Sequence, residues 1–109
     1  MNTLRPFLLL RARVREEARA EFNTWFDAEH RRDVHGIPGI VRVLGGTTPG
    51  GTRLGVYLFE NAEVVQAALS SPQAAYTRGT WERWQPHLEE MSIELWTNVL
   101  ATPVYESIN

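Results

Sequence analysis

The sequence predicts an α+β domain in which a four-stranded antiparallel sheet carries helices on one face. Three observations lead there. Four short stretches are apolar or alternate between apolar and polar residues, the two-residue period of a strand. Two longer stretches repeat apolar residues at three- and four-residue spacing, the period of a helix. The order of these periods along the chain is strand, helix, strand, strand, helix, strand.

Residues 6–14, "PFLLLRARV", begin apolar and then alternate, so the first strand has one face that turns polar near its end. From Glu16 the period changes. Ala18, Phe22, Trp25, Phe26, Glu29 and His30 recur at helical spacing, and Gly36 and Pro38 stop that helix, with Gly39 completing a turn. "IVRVLGG" (40–46) and "RLGVYLFE" (53–60) read as strands joined by the hairpin loop "TTPGGT". Asn61 is a good N-cap for a second helix, whose stripe is Val64, Val65, Ala68 and Leu69 and which Pro72 ends. "QAAYTRGT" (73–80) reads as a connecting loop. Thr80 caps a short third helix with Trp81, Trp84 and Leu88, limited by Pro86. "MSIELWTNVL" (91–100) alternates and is the last strand, and the tail has no period of its own.

Two right-handed crossovers in a βαββαβ order give the ferredoxin-like arrangement over a single domain, 1–109. One sheet face then lacks a cover. On the first strand Leu8, Leu10, Ala12 and Val14 oppose Phe7, Leu9, Arg11 and Arg13; on the last, Met91, Ile93, Leu95 and Val99 oppose Ser92, Glu94, Trp96 and Asn98. Neither strand has a wholly polar face, so a homodimer packed sheet against sheet is expected.

Composition narrows the function. Hydrophobic residues make up 43% of the chain and charged ones 22%, with a net charge of −2, so no electrostatic footprint for nucleic acid exists. The absence of cysteine removes disulfides, thiolate metal sites and cysteine nucleophiles. "FLLL" is too short for a signal sequence or a membrane span, so a cytoplasmic protein is expected. "GGTTPGG" is no phosphate loop, because it joins two strands and neither a lysine nor a helix N-terminus follows it. No metal or organic cofactor is expected.

The candidate site is the stretch "TWFDAEHRRDVH" (24–35). Its stripe Phe22, Trp25, Phe26 directs His30 toward the sheet, where His30 is either a general acid/base beside an apolar pocket or a packing residue near the helix end. Glu29 or Asp33 would orient the imidazole. His35 falls on another helical face, which speaks against a shared metal. Trp84 and His87 would close the pocket from the other side, with Tyr57 and Trp96 as aromatic walls or core. Arg11, Arg13 and Arg42 would either converge on a carboxylate or phenolate or form salt bridges to Glu94 or across a dimer.

Trp25-Phe26-Asp27-Ala28-Glu29-His30, followed by Ile37-Pro38-Gly39 and a strand, resembles the dimeric α+β barrel superfamily. Ser71-Pro72, "RGTWERWQPHL" and a terminal strand leading to Val104-Tyr105 resemble its small bacterial members. The resemblance implies a relation to EthD-like proteins, polyketide cyclases, lactone isomerases, haem-handling proteins and antibiotic-monooxygenase-type enzymes. It also implies a ligand held between the sheet and the helices of each subunit. Three functions follow as expectations: a cofactor-independent enzyme cyclising, isomerising or oxygenating a small apolar, aromatic or polyketide-like substrate with His30 as acid/base; a non-catalytic binder of such a molecule; and a haem protein ligated by His30 or His87.

Overall fold

A computed structural model describes residues 2–102. The short strand β1 (Asn2–Thr3) is followed by β2 (Phe7–Val14), whose Leu10, Ala12 and Val14 are fully buried beneath the helices. A helical stretch over 16–35 comes next. It opens with a 3-10 turn, Glu16–Ala18, and continues as α1 (Arg19–Trp25), a π turn (Phe26–His30) and α2 (Arg31–His35). β3 (Ile40–Thr47) and β4 (Arg53–Phe59) form the hairpin. Gly39, at φ +93°, allows the chain to enter β3 close beneath the second helical stretch, where a Cβ would lie 3.1 Å from the Val64 side chain.

Asn61 caps that second stretch as its sequence requires, its Oδ1 accepting from Val64 N at 3.2 Å. A 3-10 turn, Ala62–Val64, leads into α3 (Val65–Leu69). The expected loop 73–80 is instead helical: α4 (Pro72–Gly79) starts where the second helix is expected only to stop. Ser71 Oγ accepts from Ala74 N, and Pro72 fills the first turn, where a missing N–H costs nothing. Thr80 is correspondingly not a cap. The chain runs on as a 3-10 helix, Thr80–His87, and the Thr80 hydroxyl donates to the Thr77 carbonyl at 2.6 Å.

The last strand also differs from expectation, since β5 (Leu88–Trp96) begins earlier and ends sooner than 91–100. Asn98 takes a positive φ of 56° and breaks the extension. Leu100–Ala101 (β6) then pairs with β1 as a separate two-stranded ribbon. Val104 and Tyr105 lie outside the described residues.

The main sheet has the order β3-β4-β2-β5 with every neighbour antiparallel, so the expected ferredoxin-like topology holds. On the helix side the core gathers Leu10, Val14, Phe22, Trp25, Trp81 and Trp84 around β2. The other side bears no helix. Phe7, Leu9, Leu54, Val56 and Leu58 line up there in register, half-buried, and Trp96 stacks on Phe7 at 6.4 Å. Among the described residues no helix is long and apolar enough to cross a membrane.

Candidate functional site

Four-residue spacing brings Phe22, Phe26, His30 and Val34 into one line. In a regular α-helix each such step overshoots a full turn by about 40°. The slower winding of the π turn at Phe26–His30 takes up that drift, and all four side chains end up buried against the sheet. His30 itself is only 2% exposed. Its ring lies 5.0 Å from that of Phe26, 5.3 Å from Trp25 and, edge to face, 5.2 Å from Trp81.

The hydrogen-bond partner of His30 comes from the sheet. Nε2 stands 2.7 Å from the hydroxyl of Tyr57, on β4. Tyr57 reaches it by lying back over Gly55, two residues earlier on the same face; a Cβ at Gly55 would overlap the hydroxyl, with the ring's Cζ 2.6 Å away. Gly55 is therefore part of the site's construction. Nδ1 of His30 is buried and has no hydrogen-bond partner among the described residues. Burial brings the imidazole pKa down from 6.5 to about 4, against a smaller opposite pull from Asp33, so the ring is neutral at pH 7. Burial likewise pushes the Tyr57 phenol above its usual value.

Neither expected carboxylate orients the ring. Glu29, one residue before His30, is turned about 100° away round the helix and pairs half-exposed with Arg83 at 3.8 Å. Asp33 pairs with Arg32 at 3.4 Å and reaches the imidazole only through its field.

His30 and Tyr57 form part of the wall of a cavity of about 530 Å³ between the sheet and the second helical stretch. Leu8, Leu10, Ile93 and Leu95 form its sheet side, and Val34, Ile37, Ala74 and Trp81 line its helix side. A volume of this size with mostly apolar walls suits a small organic ligand. Thr77, Arg78 and Gln85 supply the remaining polar groups. Thr77 and Arg78 are hidden when 73–80 is read as a loop, although the Ser71-Pro72 capping pair followed by positions 74, 77, 78 and 81 at helical spacing signals them. Gln85, on the expected third helix, has no such local signal.

The other expected site residues fall elsewhere. Phe22 and Trp84 are core, and Trp25 and Phe26 pack on the imidazole without lining the large cavity. His87 packs on the ring of Trp84 at 6.3 Å and does not line the cavity. Arg11 and Trp96 sit on the opposite sheet face, where Arg11 pairs with Glu90 at 3.2 Å; Arg13 pairs with Glu89, and β4 separates both arginines from Arg42. They share one sheet face but do not converge, because Arg11 and Arg13 are each held by a carboxylate of β5 while the width of β4 keeps Arg42 away. The haem expectation fits poorly: Nε2 of His30 is engaged by Tyr57, and His87 faces Trp84.

No protein-family model and no curated protein matches the sequence. Solved structures do match. A Deinococcus radiodurans protein classed as an antibiotic biosynthesis monooxygenase superposes with a TM-score of 0.68 at 11% identity, over 91% of this chain and 97% of its own. SnoaB from Streptomyces nogalater, described as a cofactor-independent oxygenase, gives 0.66 at 18% identity over 90% and 96%. An EthD-family protein from Bacillus halodurans gives 0.60 at 15% identity over 82% and 96%. The chain therefore has the ferredoxin-like fold of antibiotic biosynthesis monooxygenase-like and EthD-like proteins.

Proposed function

We propose that the chain is a cofactor-independent enzyme of the oxygenating type, acting on a small apolar, aromatic or polyketide-like substrate held in the cavity beneath the second helical stretch. One observation carries the reading: a neutral, buried imidazole with one unbonded nitrogen in the wall of an apolar cavity. The likeness to SnoaB supports oxygenation over cyclisation or isomerisation. Conversion of an activated CH₂ to a carbonyl by dioxygen releases one water and requires no other reductant, so the protein's task is to remove a proton and stabilise the resulting carbanion. His30 is the acid/base, and Tyr57 holds it in place. A pKa near 4 makes the resting ring a weak base. A substrate anion forming beside it would strengthen it, since the imidazolium then gains a counter-charge in a medium of low dielectric.

The test uses oxygen uptake with hydroxyaromatic substrates. His30→Gln should lower turnover by roughly 10²–10⁴-fold, the usual contribution of a general acid/base. Undiminished turnover in the folded variant would remove the histidine's role. The depth at which His30 is buried favours a second reading, a carrier with the same cavity, which would bind such molecules without turning them over.

The helix-free sheet face supports a homodimer. Phe7, Leu9, Leu54, Val56 and Leu58 form an apolar surface continuous across β2 and β4, the kind a soluble chain covers with a second copy.

A further inference from the structure

The cavity's lining includes a cation that the proton chemistry leaves unused. Arg78 stands near the end of α4, exposed, and its Nη1 donates to the carbonyl of Leu69 at 3.2 Å. That bond holds the guanidinium across the gap between α3 and α4. Six arginines (Arg11, Arg13, Arg19, Arg32, Arg53 and Arg83) each have a carboxylate within salt-bridge distance; Arg78, like Arg5, Arg15, Arg31 and Arg42, has none among the described residues. It is also the one arginine in the cavity's lining. Its remaining N–H groups are free for a planar, two-point acceptor.

The other polar groups of the lining cannot replace it. The Thr77 hydroxyl already donates to the Gln73 carbonyl at 2.9 Å, Gln85 offers only an uncharged amide, and the His30–Tyr57 pair is uncharged at pH 7. A ligand carboxylate placed among Leu8, Leu10, Ile93 and Leu95 would lose its hydration with nothing in return. One orientation satisfies both parts of an amphiphile, with the apolar body inside and the anion outside, where water and Arg78 share it.

We propose that the cavity's ligand is an amphiphilic carboxylate, an apolar ring system whose single carboxylate is held at the rim by Arg78. The proposal rests on the reading of this cavity as the ligand site. It makes Arg78 a specificity-determining residue, with no part in the proton transfer assigned to His30.

Calorimetric titration with 2-naphthoate and its uncharged isostere 2-naphthamide tests it. Wild-type protein should bind the carboxylate at least about ten-fold more tightly, consistent with a charge-assisted pair at a partly solvated site. Arg78→Gln should equalise the two without changing the melting temperature by more than a degree or two, since the residue is exposed. Arg78→Lys should keep part of the preference, because it keeps the charge and loses the two-point geometry. Equal binding of both probes by the wild type overturns the inference and leaves the cavity reading standing. An undiminished carboxylate preference in Arg78→Gln also overturns it, since the anion is then held elsewhere. If neither probe binds the wild type, the cavity reading itself fails and the inference with it.

Discussion

Burying an imidazole penalises its cation far more than its neutral ring, and His30 carries that penalty into the protein's response to acid. Its pKa is 6.5 when unfolded and about 4 when folded, so the unfolded chain binds the proton first. The stability due to the neutral ring is complete above about pH 6.5 and is lost as pH falls toward 4. The span corresponds to roughly 3 kcal/mol. Thermal melts across that window should show a falling melting temperature for the wild type and a flatter profile for His30→Gln; parallel profiles would refute the assignment. The Tyr57 bond adds a second prediction. If the phenol donates to Nε2, only the Nδ1 proton is left unsatisfied; if Nε2 donates, both the phenol proton and the Nδ1 lone pair are. The first arrangement leaves fewer orphans, but the base role needs a free Nδ1 lone pair and therefore the second. ¹⁵N NMR should find the His30 proton on Nε2 at pH 7, and a proton on Nδ1 would remove the base role. Tyr57→Phe should release that preference and cost about 1–2 kcal/mol.

Helix α4 shows how one capping residue can set a cavity wall. Ser71 Oγ accepts from Ala74 N at 3.1 Å and donates to the Ala68 carbonyl at 2.7 Å, tying the end of α3 to the start of α4. Ser71→Ala should therefore cost about 1–2 kcal/mol, the upper range for a lost cap, and weaken ligand binding through displaced Thr77 and Arg78. A melt and a titration on one variant check both effects. The element order was legible because each strand and helix satisfies its own period, as with the alternation of β2 and the Asn61 cap. Pro72 misled because a proline that ends one helix can begin the next. The His30–Tyr57 pair joins residues 27 positions apart, and no local period encodes such a contact. Nor does local spacing reveal the π turn, since a four-residue repeat is compatible with an ordinary helix until the sheet demands one line. The sheet-directed placement of His30 was legible; Arg78 was lost with the helix that carries it.

For the whole molecule, the two sheet faces have different tasks. The helix side holds the core and the cavity, while the opposite side offers Leu9 and Val56 at the centre of an apolar surface, with Leu44 beyond them. Under the homodimer proposal, sedimentation at micromolar concentration should give about twice the chain mass. Val56→Asp should give a single-chain mass, because an unpaired carboxylate on a dry interface costs several kcal/mol. A wild-type monomer, or a dimer that survives Val56→Asp, would exclude this face as the interface.

The distribution of indoles over those faces has an optical consequence. Trp25 and Trp81 pack on the ring of His30, and Trp84 lies against Trp25, all three buried; Trp96 is 45% exposed on the opposite face. Imidazolium quenches indole fluorescence and the neutral ring does so much less, so protonation of His30 would dim the buried emitters. A ligand against Trp81 would perturb the same blue-shifted signal. Trp96 emits further to the red while in contact with water, and would shift to the blue when a second sheet covers it. The native chain thus carries two spectrally separable reporters, one for its cavity and one for its helix-free face, and neither needs a label.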